Sequence, residues 1–247
     1  MISKFEFKIP RLTTSQMIEV DHLMIQEYQI ELIQMMENAG RNLAILAREY
    51  LYFLNNQPLK KRILVLAGSG GNGGGALVCA RHLTNYGADV RVQLNKNPAN
   101  INSILLHQLK IIQHMGIEVA LEQLPDPAFQ FDLIVDGLIG YSLKGSPRGI
   151  TARLIEFGNQ SNTPILSLDV PSGLDATSGI ASKPTIKATA TMTLALPKTG
   201  LFIHDGTHYS GKLFLADISV PVSLYARLSP PVTVPHQIFS LSEIIEI

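Results

Sequence analysis

Cysteine is all but missing from this 247-residue chain: Cys79 stands alone. No intramolecular disulfide can form, and zinc sites built from several thiolates are excluded, which fits a reducing compartment. Net charge is missing too, with 20 Lys plus Arg against 20 Asp plus Glu. Without a basic run, nothing draws the chain electrostatically to nucleic acid or to an anionic membrane surface. No stretch approaches the roughly 20 apolar residues needed to span a bilayer. The opening residues 1–12 lack the apolar core of a secretory signal. A cytoplasmic location is the resulting expectation. Repeats and low-complexity tracts are absent as well. With 46% hydrophobic and 16% charged residues, the composition argues against disorder and suits one large α/β domain or two small ones.

Thr13 and Gln16 form a T-x-x-Q capping box, and Met17, Val20, Met24 and Ile25 follow at helical spacing. Leu32, Met36, Leu43, Ala47 and Tyr50 suggest a second helix, giving an N-terminal helical pair over 12–54. Short apolar runs at 63–67, 90–94, 133–135, 165–168, 190–194 and 213–215 then predict strands, with helices over 72–86 and 103–114. Such alternation predicts a doubly wound, mostly parallel sheet whose ligands bind at the carboxyl ends of the strands. One nucleotide-binding domain is expected over 1–220. The tail, 221–247, reads as a linker with a short helix near 240–245.

Three post-strand loops could carry chemistry. Residues 68–75 contain six glycines, which let the backbone approach a ligand and aim N–H groups at an anion. Gly68, Gly70 and Gly73 satisfy G-x-G-x-x-G, yet no acid ends the next strand, where Gln93, Leu94 and Asn95 stand. An ordinary Rossmann oxidoreductase is therefore rejected, as is a P-loop. In the second loop Asp136 follows an apolar strand, suited either to a cation or reacting group or to bracing the loop. The third runs from Asp169 through Pro171 and Ser172 to Asp175. Asn72, Asp136 and Ser172 offer three hard oxygen donors that would suit potassium or sodium better than zinc. Lys198 reads as a solvated lysine ahead of an anion ligand, and His82 as a packed or capping histidine.

Taken together, these motifs resemble the YjeF N-terminal domain family, which holds the NAD(P)HX epimerases. The family's G-P-G-N-N-G-G-D-G-L-V-A-A-R-H-L corresponds to residues 68–83, its V-D-x-L-F-G to 135–140 and its D-I-P-S-G-L-D to 169–175. Met36 to Arg41, Leu196-Pro197-Lys198 and Ala216-Asp217-Ile218 match further motifs, so the likeness spans about 12–220. It implies a three-layer αβα Rossmann-like sandwich and an isomerase that interconverts the R and S forms of hydrated NADH or NADPH. Potassium would be held by Asn72, Asp136 and Ser172. Substrate would be held by Gly71, Asn72, Gly73, Gly74 and Gly75, by Gly140, Tyr141, Ser142, Leu143, Lys144, Gly145 and Ser146, and by Asp169.

Asp136 and then Asp169 are the expected acid–base or electrostatic groups. Gly75 and Ala76 replace the family's Asp-Gly, which removes a carboxylate and points either to reduced epimerase activity or to a non-catalytic nucleotide-binding or scaffold member. Only 30 residues follow Asp217, so no dehydratase activity is expected here; a separate dehydratase chain would supply it. Met24, Met35 and Met36 suggest a surface that a homodimer would cover.

Overall fold

The computed structural model describes residues 2–4, 8–55 and 60–247. Among the described residues nine strands form one sheet: β1 (Ser3–Lys4), β2 (Arg62–Ala67), β3 (Asp89–Leu94), β4 (Glu118–Leu121), β5 (Leu133–Gly137), β6 (Ile165–Leu168), β7 (Ala190–Leu194), β8 (Lys212–Ala216) and β9 (Ile244–Glu246). Their order is β1-β9-β8-β7-β6-β5-β2-β3-β4, and every neighbouring pair is parallel except β8 with β9. After β1 at the far edge, the chain enters the interior of the sheet with β2, winds outward to β4, then returns to the other side of β2 with β5. The strand order therefore reverses between β2 and β5, where open α/β sheets leave a crevice.

Alternate residues of β2 face opposite layers. Ile63, Val65 and Ala67 pack with α2 (Leu32–Asn55), α3 (Gly71–Asn85) and α4 (Ser103–His114), whereas Leu64 and Leu66 pack with α5 (Gly149–Gln160). This is the expected three-layer αβα sandwich. A third cluster joins α1 (Thr14–Gln26) to Ala195, Leu196, Leu215 and the segment after residue 220. The capping box at Thr13 and Gln16 forms as expected.

Four expectations need correction. The C-terminal segment is no linker: α7 (Val222–Tyr225), Leu228, Val234 and Ile238 are packed into the third cluster. The helix expected near 240–245 is instead partly β9, because pairing to β8 satisfies backbone groups that a short isolated helix would leave open. Met24, Met35 and Met36 are 0%, 4% and 3% exposed, so the chain itself covers the surface that suggested a second copy. Lys198, expected in solvent, is 0% exposed, because it has found a carboxylate partner. Strand β4 and helix α5 had not been anticipated.

Candidate functional site

At the β2–β5 crevice the chain turns from β2 into α3 through Gly68, Ser69 and Gly70. Gly68 and Gly73 are needed for close approach: a β-carbon at Gly73 would fall 1.9 Å from the Gly68 carbonyl oxygen. No side chain caps the start of α3, so its first N–H groups face the crevice, where a helix N-terminus favours an anion.

Two joined compartments lie there. The inner is a small chamber of about 80 Å³, walled by Met17, Met35, Met36, Leu168 and Ile218, with Asp21, Asn72, Asp169, Lys198 and Tyr141 as its polar side chains. The outer, of about 520 Å³, has a mixed polar and apolar lining and runs past Gly70, Gly71 and Asn72 to Lys96 and Arg148. Both share Asp21, Leu32, Gly71, Asn72 and Tyr141.

Asp169 follows β6 with φ 69°, a left-handed conformation that Asp tolerates better than most residues. Its backbone N–H donates to Met192 O at 2.8 Å. Lys198 Nζ is ion-paired to its Oδ1 and also donates to Leu194 O at 2.7 Å. Oδ2 of the same carboxylate is buried and has no hydrogen-bond partner among the described residues. Buried polar atoms are rarely left unmatched, so this oxygen in a chamber wall points to a ligand.

Opposite this pair, Tyr141 donates its hydroxyl hydrogen to Asp21 Oδ2. Burial pushes the Asp21 carboxyl above its ordinary value of 3.8, against the Tyr141 hydrogen bond and the Lys198 charge, which pull it down. The Tyr141 phenol is pushed up in turn, by burial first and then by the Asp21 charge. Asp21 was not among the anticipated residues. Its signal was present: Met17, Val20, Asp21 and Met24 follow i, i+3, i+4, i+7, so a carboxylate interrupts the buried stripe of α1.

Asp136 is different. It is 0% exposed and lines neither compartment. Oδ1 accepts from Ser172 Oγ at 2.6 Å and Leu138 N at 3.3 Å, and Oδ2 from Ser167 Oγ at 2.8 Å and Ser172 N at 2.9 Å. Burial raises its carboxyl pKa, although these hydrogen bonds pull it back. A carboxyl so enclosed braces loops; it does not exchange protons with a ligand in the chamber.

No cationic side chain pairs with Asp136 among the described residues, and a buried unpaired carboxylate is costly. Ser172 Oγ also lies 3.2 Å from Ile139 O. Asn72 sits over the same loop, where a β-carbon at Gly140 would fall 2.5 Å from its Oδ1. Its Nδ2 donates to Leu168 O at 2.7 Å, while Oδ1 accepts nothing among the described residues. One carboxylate and several neutral oxygens fit a hard monovalent cation.

Among the other anticipated residues, Gly71 and Gly75 line the inner chamber, and Gly140 and Ser142 the outer. Gly73 and Gly74 are buried in α3, Gly74 beneath Met36. Leu143, Lys144, Gly145 and Ser146 line neither compartment.

Residues 32–200 match the model of the family described as YjeF-related protein N-terminus. An NAD(P)H-hydrate epimerase of Dehalogenimonas lykanthroporepellens is 42% identical over 219 residues, covering 89% of this chain and 86% of that protein. An NAD(P)H-hydrate epimerase of Entamoeba histolytica is 35% identical, over 83% of this chain and 88% of that protein. The bifunctional NAD(P)H-hydrate repair enzyme Nnr of Moorella thermoacetica is 39% identical over 87% of this chain, which spans 41% of that protein. The crystal structure of yeast ynu0 superposes with a TM-score of 0.82 at 23% identity, covering 97% of this chain and 100% of that one, a likeness of fold. The chain belongs to the family of YjeF-related protein N-termini.

Proposed function

We propose that the cleft binds hydrated NADH or NADPH and interconverts the R and S forms at the hydrated ring carbon, as an NAD(P)H-hydrate epimerase. The observation that carries this is Asp169, whose Oδ1 is held by Lys198 while its Oδ2 has no hydrogen-bond partner among the described residues, in the wall of an apolar chamber small enough for one ring. Relatives spanning most of the chain carry that name. In this reading the hydrated ring occupies the inner chamber, and the diphosphate meets the start of α3 through Gly71 and Asn72, with Gly140, Tyr141 and Ser142 along its side. Gly73 and Gly74 shape the helix start from within, and residues 143–146 extend the rim.

The ring hydroxyl leaves as water, taking a proton from the Asp21 carboxyl and leaving a conjugated iminium cation. The Asp169 carboxylate balances that charge. Water then adds to the opposite face and gives its proton to Asp169 Oδ2, which yields the other epimer. When the product leaves, Asp169 gives that proton to water and Asp21 takes one up, so both carboxyls are reset for a further turnover in either sense. Lys198 orients Asp169, and the apolar walls keep bulk water out.

Potassium would be held by Asn72, Asp136 and Ser172, supplying positive charge that offsets the buried carboxylate and fixes the three loops. Replacing potassium by tetramethylammonium should lower the thermal midpoint and the rate.

Because Gly75 stands where the family pattern carries an acid, we propose slower turnover than in relatives that keep it. A carboxylate introduced by Gly75→Asp should raise the rate if Leu168, whose Cδ2 lies 2.9 Å from the new β-carbon position, turns aside. The quaternary proposal is a homodimer, resting on Ile18 and Ile180, 55% and 59% exposed; a monomer in sedimentation removes it. A separate dehydratase chain would consume one epimer. The central test follows chirally enriched NADH-hydrate by chiral chromatography, with heat-killed protein as control. Interconversion no faster than the control overturns the proposal.

A further inference from the structure

The far wall of the outer compartment is made by the ends of β3 and the start of α5. Asn95 leaves β3 with its backbone N–H on Ala67 O at 3.1 Å, and its side chain is buried, 9% exposed. Nδ2 donates to Thr151 Oγ1 in the first turn of α5 at 2.9 Å, whereas Oδ1 is buried and has no partner among the described residues. Asn95 lines the outer compartment, and a buried acceptor left without a donor at such a wall points to a ligand. Around it stand two exposed cations, Lys96 and Arg148. Arg148 is also the N-cap of α5, a 12-residue helix whose start no side chain caps, so its first N–H groups are free for an anion.

Dinucleotide folds that prefer the unphosphorylated cofactor keep a carboxylate after this second winding strand. It accepts hydrogen bonds from the adenosine ribose and repels a 2′-phosphate. Here the position holds a neutral amide between two cations. A neutral amide accepts from a 2′-hydroxyl without repelling a 2′-phosphate. A 2′-phosphate meets no negative charge, and Lys96, Arg148 and the helix start supply the positive field.

We propose that Asn95, Lys96 and Arg148 bind the adenosine ribose of the substrate and favour a 2′-phosphate on it. The preferred substrate class is then the phosphorylated dinucleotide, the hydrate of NADPH over that of NADH. This rests on the reading of the cleft as a hydrated-dinucleotide site and adds its specificity.

Calorimetric titration with 2′-phospho-ADP-ribose and with ADP-ribose tests it, because neither ligand carries a nicotinamide ring and neither needs catalysis. The phosphorylated ligand should bind about tenfold tighter, the size of one charge-assisted hydrogen bond at a partly exposed site. Lys96→Ala and Arg148→Ala, both at exposed positions, should bring that ratio towards one. Asn95→Asp should reverse it, by repelling the phosphate while still accepting from the diol. Equal binding of the two ligands by the unaltered protein, or a ratio that none of the three variants moves, overturns the inference. Epimerisation with no preference would end the specificity and leave the activity standing. A preference without epimerisation would keep the specificity and end the activity.

Discussion

Lys198 and Asp169 form an ion pair with almost no exposure on either side, so each is stable only with the other. Lys198→Met or Asp169→Asn alone leaves one buried charge uncompensated and should cost about 3–5 kcal/mol in urea unfolding. Asn is the replacement of choice at 169, because it accepts the left-handed backbone there. The double variant buries no charge and should recover much of that loss, yet show no epimerisation. If the double variant loses as much as the two single losses added together, the pair is not coupled. Asp21 gives a pH-dependent counterpart. Its carboxyl is raised by burial, so ionisation costs more in the folded chain than in the unfolded one. Asp21→Asn keeps an acceptor for Tyr141 without the charge. It should therefore melt higher than the parent at pH 8. As pH falls through the raised pKa towards 3.8, protonation makes the parent neutral too, and the gap should close. Melting curves over that range check the sign; a gap that widens in acid refutes it. At this scale the sequence was only partly legible. The Gly-rich turn, Asp169 and Ser172 stood out because each comes after an apolar strand, whereas Asp136, expected in the loop after its strand, lies inside β5. Lys198 did not stand out, because its burial depends on Leu12 and on its ion-pair partner Asp169, both distant from it in the chain.

Helices α2 and α3 cross close together because glycines meet at the crossing. A β-carbon at Gly40 would fall 2.4 Å from the Gly75 carbonyl oxygen and 2.5 Å from Val78 Cβ, both fixed groups. At Gly75 the nearest atom is the mobile tip of Leu168, at 2.9 Å. Gly40→Ala should therefore destabilise by about 1–3 kcal/mol, as overpacking does, and widen the chamber by parting the helices. Gly75→Ala should cost well under half of that. Denaturant midpoints compare the two directly, and equal losses would mean the crossing is not glycine-limited. The alternation of buried strands with helices showed clearly in the sequence where the runs were continuous, as in β2, β6 and β7. It failed for β4, whose residues are exposed or only half-buried at the sheet edge. It failed again for β9, three residues long, whose strand state comes from its partners and not from its own pattern.

Across the whole molecule, the segment after residue 220 closes the layer that holds the chamber. Tyr28 shares a hydrogen bond with Ser223 at 3.1 Å, and Leu224, Tyr225, Leu228 and Val234 share a buried cluster with Met17, Met24 and Met35. Met17 and Met35 are also chamber walls, so the tail supports the site from behind without touching it. Burying each of those four side chains contributes about 1.5–3 kcal/mol against exposure. Their sum is comparable to the 5–15 kcal/mol that holds a typical domain folded. A chain truncated after Val220 should therefore melt at a much lower temperature and bind a hydrophobic dye, with the parallel strands β2 to β8 partly retained. Its epimerisation should fall further than the folded fraction does, because α1 carries Asp21 and loses its backing. Activity that follows the folded fraction one for one would show that the tail stabilises the fold without holding the chamber in shape.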